Sequence, residues 1–181
     1  MKDVELLADW IQELVRQVRR EIETLSTEEL TWEPAPESNH IAVTVWHFTR
    51  WLDVLTVRAF QNKSAEEEQW FTRGWAIKTG YDPRGIGYGG LGTLTGYTWK
   101  EAKAAPVLSV ADLVAYLEQA SQALRDYILT MSSEWLYQPA PGLGGKDTPH
   151  EWLKDIVTGS FRHVGEIQTL KAIYKRTQPH V

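Results

Sequence analysis

His163 and His47 are the side chains whose type and placement could do chemistry in this chain. His163 lies in SFRHVGEIQTLKAI, where Trp152, Ile156, Gly159, His163, Ile167, Leu170 and Tyr174 recur at intervals of four and three. That rhythm places them on one face of an α-helix, so the imidazole is aimed at a partner helix and not at water. His47 holds a comparable position in NHIAVTVWHFTRWLDVL, flanked by Trp46 and Trp51. Indole neighbours lower the local dielectric and favour the neutral, ligand-competent imidazole, and they suit a packed core equally well. Two imidazoles from two helices supply half of a metal or catalytic site, or else a pair of hydrogen-bonded core residues. Residue type and spacing leave both readings open.

A catalytic zinc ion takes three protein ligands plus water, and a structural one takes four. One turn before His163 stands Gly159 and one turn after it Ile167, so His163 has no histidine partner on its own helix face. Glu166, three residues on, is the nearest side chain able to offer an oxygen ligand; Asp53 and His150 are more distant candidates. The chain has no cysteine, which excludes a thiolate metal site, a disulfide scaffold and a cysteine nucleophile, and fits a reducing compartment. There is no G-x-S-x-G elbow and no H-E-x-x-H pair. Gly85 to Gly92 satisfies the dinucleotide pattern G-x-G-x-x-G twice, but that motif needs a strand before it and a helix start after it. With neither visible, the run reads as a glycine-permitted surface loop.

Four amphipathic stretches must position these residues. The first spans about Asp3 to Leu25, with the stripe Leu7, Ile11, Leu14, Val18, Ile22 and Leu25; the second covers about His40 to Gln61, with Asn39 as its expected N-cap. The third covers about Ser109 to Met131, opening with Ser109 and Asp112 in the manner of a capping box and carrying Leu113, Leu117, Ala120, Leu124 and Ile128. The fourth runs from about Pro149 to Lys175, where proline suits the first turn. Strand-like alternation is scarce, so the expected fold is all-α. STEELTWEPAP after the first helix and MSSEWLYQPAP after the third form a weak internal repeat, implying two helix hairpins related by pseudo-twofold symmetry.

The hairpins are joined by an irregular insert at about 62–108, too long for a turn and suited to a crossover. Its AEEEQWFTRGW stretch predicts a short extra helix, and Trp70, Trp75, Tyr81, Tyr88, Tyr97 and Trp99 predict that it packs onto the bundle, where it can cover a ligand pocket. At 181 residues a single domain over 1–181 is expected. A net charge of −5, with Arg16, Arg19 and Arg20 interleaved among Glu13, Glu21 and Glu23, argues against nucleic acid. MKDVELLADW carries no apolar signal core, and no apolar run approaches the roughly 18 residues that span a membrane. The expected location is the cytoplasm, with no membrane partner.

LTWEPAP, the segment Asn39 to Leu55 and the segment Ser160 to Ile173 resemble the DinB-like superfamily of four-helix bundles, a group labelled damage-inducible or thiol-transferase-like. The resemblance covers the helical framework outside the insert. It implies a helix-two histidine followed by aromatics, and a helix-four histidine followed by Gly-Gln or Gly-Glu; here these are His47, and His163 with Gly165 and Glu166. It also implies a divalent-metal site of three histidines, one from helix two and two, spaced four apart, from helix four. His47 matches the first and His163 the last, whereas the middle position is Gly159. Some relatives with an intact site transfer a low-molecular-weight thiol such as bacillithiol, mycothiol or glutathione onto an electrophile, or perform related metal-assisted chemistry; the transfer needs no protein cysteine because metal lowers the pKa of the bound thiol. The expectation is a homodimeric DinB-like protein with a degenerate site, metal candidates His47, His163 and Glu166, and no assigned catalytic acid or base. It binds a small ligand or partner; the alternative is a zinc- or nickel-dependent thiol S-transferase.

Overall fold

Apolar stripes with capped ends dictate four long helices, and a computed structural model describing residues 3–178 contains all four. The first, α1 (Asp3–Ile22), buries Val4, Ala8, Ile11, Leu14, Val15, Val18 and Ile22. Its opposite face carries Arg16, Arg19 and Arg20 paired with Glu13, Glu23 and Glu118, the solvated charge pattern expected. A short α2 (Thr27–Thr31) follows, closed by a reciprocal cap between Ser26 and Glu29. Next comes α3 (Ile41–Val54), whose chain continues as a π-helical turn over Leu55–Phe60. Nearly every residue of α3 is buried, the ion-paired Arg50 and Asp53 included, and this makes it the central element. His40, not Asn39, is its N-cap: Nδ1 accepts the Val43 N–H at 3.2 Å, the role a side-chain oxygen usually fills.

The insert holds two short helices, α4 (Gln69–Thr72) and α5 (Trp75–Thr79), where one was expected, and a third, α6 (Trp99–Ala104), before its end. Gly74, with φ +79°, breaks α4 from α5, since a left-handed residue cannot continue a right-handed helix. The insert packs onto the bundle as its aromatics predict. Trp70 is fully buried edge-on against Trp46 and Tyr116, and Trp75 donates to Gln119 at 2.8 Å.

The remaining long helices are α7 (Val110–Leu129), which buries all five of its expected stripe residues, and α8 (Pro149–Thr177). Thr148 and Glu151 cap α8 reciprocally with Pro149 in the first turn. At α7, Ser109 accepts the Asp112 N–H, while the Asp112 carboxylate pairs with Lys78 of α5. The order of two helix pairs along the chain is as expected, but the principal packing runs between the pairs: α1 and α3 each pack on both α7 and α8. The halves interlock around α3, buried on nearly all sides, which no single neighbour could cover. Among the described residues there is no strand, and no helix is long and apolar enough to cross a membrane.

Candidate functional site

The core stripe of α8 is Leu153, Ile156, Val157, Ser160, Val164, Ile167 and Leu170. Trp152, Gly159 and His163 sit on its flank, where α8 turns from the core towards solvent, so His163 is partly exposed instead of sealed. His47, partly buried on α3, faces it: the two rings meet edge-to-face with centroids 5.0 Å apart. Residues more than a hundred positions apart thus share one locus because α3 and α8 pack directly.

Each imidazole is oriented through Nδ1. The Nδ1 of His47 hydrogen-bonds the backbone carbonyl of Thr93, in the insert. A carbonyl only accepts, so Nδ1 carries the proton and the neutral ring keeps a lone pair on Nε2. Burial pushes the His47 pKa down to about 4, with the Thr93 carbonyl opposing, so this neutral form holds at pH 7. The Nδ1 of His163 lies 3.1 Å from Oε2 of Glu166, one turn further along α8. That hydrogen bond from His163, the largest influence, holds the Glu166 carboxyl below its usual value, so the group is a carboxylate that accepts. Thr44 of α3 donates to its other oxygen at 3.4 Å. Glu166 therefore stands beside His163, placed to orient its ring.

Beside the two rings lies a cavity of about 230 Å³. Its walls are Phe48, Trp51, Trp152 and Ile156, with Trp51 and Trp152 tilted 30° at a centroid distance of 6.1 Å. Gly159 lines it too, and a Cβ added there meets nothing within 4 Å. Glycine inside a helix costs about 1 kcal/mol relative to alanine. No close packing demands it at 159; what the missing side chain provides is room.

The other sequence candidates lie elsewhere. Asp53 is sealed between α3, α4 and α7, where it accepts from Gln69 N–H at 2.7 Å, Trp70 N–H at 2.9 Å and the Tyr116 hydroxyl at 2.9 Å. Arg50 joins it there, reaching Glu68 at 2.7 Å, Asp53 at 3.4 Å and the Gly92 carbonyl at 3.1 Å. His150 packs on Tyr137, ring centroids 5.4 Å apart. Neither Asp53 nor His150 lines the cavity.

The glycine run also departs from expectation. It is not a plain surface loop: its end, Leu91 to Thr93, is buried, and consecutive carbonyls of Gly92 and Thr93 receive Arg50 and His47. Gly92 has φ +67°, and a Cβ there would collide with Pro83. These glycines permit a compact loop in which Gly92 N–H reaches Ile86 O at 3.1 Å and Tyr88 N–H reaches Thr95 O at 2.8 Å. No periodicity signals a backbone carbonyl as a functional group, so Thr93 was invisible in the sequence.

A model of the DinB superfamily matches residues 7–167. The chain belongs to the DinB superfamily. The crystal structure of the conserved protein of locus from Enterococcus faecalis shares the fold, with TM-score 0.76 and 18% identity over 94% of this chain and 96% of that one. No curated protein matches the chain. In this DinB protein both imidazoles are engaged through Nδ1, which leaves their Nε2 atoms outside those hydrogen bonds. Among the described residues, no group of three or more His, Asp or Glu side chains is placed to hold an ion. Gly159 offers no donor and Glu166 is engaged with His163 and Thr44.

Proposed function

We propose that this DinB protein binds a small molecule in the cavity between α3 and α8, with His47 and His163 as its polar contacts. The observation that supports this is the position of the cavity. It lies against both imidazoles and against Gly159, the position where the family pattern expects the third histidine. Apolar aromatic walls supply contact area, and a few oriented polar groups supply direction, the usual composition of a ligand site. His47 offers an acceptor at Nε2 because Thr93 has fixed its proton on Nδ1. His163 is oriented likewise by Glu166.

A fragment set read by ligand-observed NMR tests the proposal. Filling the cavity with Gly159→Phe, which adds bulk where nothing lies within 4 Å of the new Cβ, should abolish the signals of bound fragments. Fragments retained equally by wild type and Gly159→Phe would sink the pocket reading.

A second reading is favoured by one observation: tying Nδ1 to an oxygen acceptor is how metal-ligating histidines are commonly oriented. On that reading His47 and His163 hold a divalent zinc or nickel ion, and a thiol ligand supplies the missing donor; bound metal would favour the thiolate. Gly159→His separates the readings. It should raise zinc affinity by at least about tenfold in isothermal titration, through the added third imidazole. Wild-type zinc binding tight enough to match the variant would favour the metal reading over the metal-free pocket.

A further inference from the structure

We propose that the cavity is selective for a small organic ammonium ion. The inference rests on the pocket reading above and adds the charge of its occupant. Its basis is the charge of the groups that line the space. Phe48, Trp51 and Trp152 line it, and the quadrupole of an aromatic ring attracts a cation that reaches its face. His47 gives its Nδ1 proton to the Thr93 carbonyl and so presents the Nε2 lone pair. The Ser160 hydroxyl gives its proton to the Ile156 carbonyl at 2.5 Å, so what it turns to the cavity is acceptor capacity. Asp155 stands exposed at the edge, His163 also lines the space with its Nδ1 turned to Glu166, and among the described residues no lysine or arginine lines the cavity.

The surroundings extend the same bias. A neighbouring depression sharing Trp152 and Asp155 is lined also by Asp147, Glu151 and Lys154, three carboxylates against one ammonium. Donors that would hold an anion are already engaged. The Trp51 indole N–H goes to Thr95 Oγ1 at 3.2 Å, and the cap between Thr148 and Glu151 occupies the start of α8, where free amides would otherwise favour negative charge. An anion here would lose its hydration and find few donors. A small alkylated ammonium ion, weakly hydrated, exchanges little hydration for aromatic faces and one carboxylate.

Isothermal titration with choline and with its neutral carbon isostere, in which a quaternary carbon replaces the nitrogen, tests the charge preference at constant ionic strength. Choline should bind about tenfold more tightly than the isostere. Asp155→Asn, on the exposed edge where folding is not at stake, should weaken choline severalfold and leave the isostere unchanged. An isostere that binds as well as choline, and is lost in Gly159→Phe, would overturn the ammonium selectivity while sparing the pocket. Choline preference that survives Asp155→Asn undiminished would also overturn it, because the cation would then be held elsewhere. Failure of both ligands to bind would remove the pocket reading, and the ammonium proposal with it.

Discussion

Arg50 and His47 sit one turn apart on α3 and reach consecutive carbonyls of the same loop, yet they end in opposite circumstances. Arg50 is closed in by Asp53, Glu68, Tyr116 and Gly92, with the three charged side chains at most 1% exposed. His47 is secured through one nitrogen only, and its other side looks towards His163 and a cavity. The first centre uses nearly all of its hydrogen-bonding capacity internally; Glu68 Oε1 is the buried oxygen left without a partner. The second keeps capacity in reserve. Buried polar groups cost free energy unless satisfied, so a network closed on itself is architecture, whereas oriented groups facing a cavity keep hydrogen-bonding capacity that a ligand could use.

The largest test of that contrast is Arg50→Met. It leaves two buried carboxylates facing each other without their cation, and unfolding in urea should show a loss of about 3–5 kcal/mol. Burial already pushes Asp53 and Glu68 up against the pull of Arg50, so the same variant should take up protons at a higher pH than wild type. A variant with wild-type stability would mean that the network is not the architectural centre described here.

His47 predicts a smaller, pH-dependent effect. Its folded value of about 4 lies below the ordinary 6.5, so the unfolded chain binds the proton more readily. The stability tied to the neutral ring is whole above pH 6.5 and is lost as the pH falls through 4. About 3 kcal/mol separates the two ends of that window. Urea midpoints measured across it should fall more steeply for wild type than for His47→Gln. Parallel curves would show that the imidazole is not held neutral.

Gly92→Ala joins the two regions through their shared loop. The left-handed backbone and the collision with Pro83 should cost about 1–3 kcal/mol. Because Gly92 and Thr93 are adjacent, the strain should also loosen the His47 hydrogen bond; with that upward influence weakened, the imidazole pKa, read by NMR, should fall below its wild-type value. A His47 pKa unmoved in a destabilised Gly92→Ala would show that the loop holds the two side chains independently.

The helices were legible because their signals are local. Leu113, Leu117, Ala120, Leu124 and Ile128 recur with the helical period and are all buried, and Pro149 opens α8 as its position suggests. His47 and His163 were legible as a pair from their stripes and from the resemblance to DinB proteins, and their rings do meet. Glu166 was legible as a neighbour but not in its role, since helical spacing says which residues lie close and not which atoms engage. Asp53 was legible only as a more distant candidate, because its partners Gln69 and Trp70 come from an insert without periodicity.

Hydrophobic period, capping residues and prolines determined the long helices by themselves, since each acts over one or two turns of chain. Tertiary structure alone decided which imidazole nitrogen is engaged, that Glu166 backs His163, and that Gly159 opens onto space. Those outcomes depend on how α3, α8 and the glycine loop converge. Convergence is set by the packing of distant apolar faces and by backbone carbonyls, which every residue possesses and no side-chain pattern distinguishes.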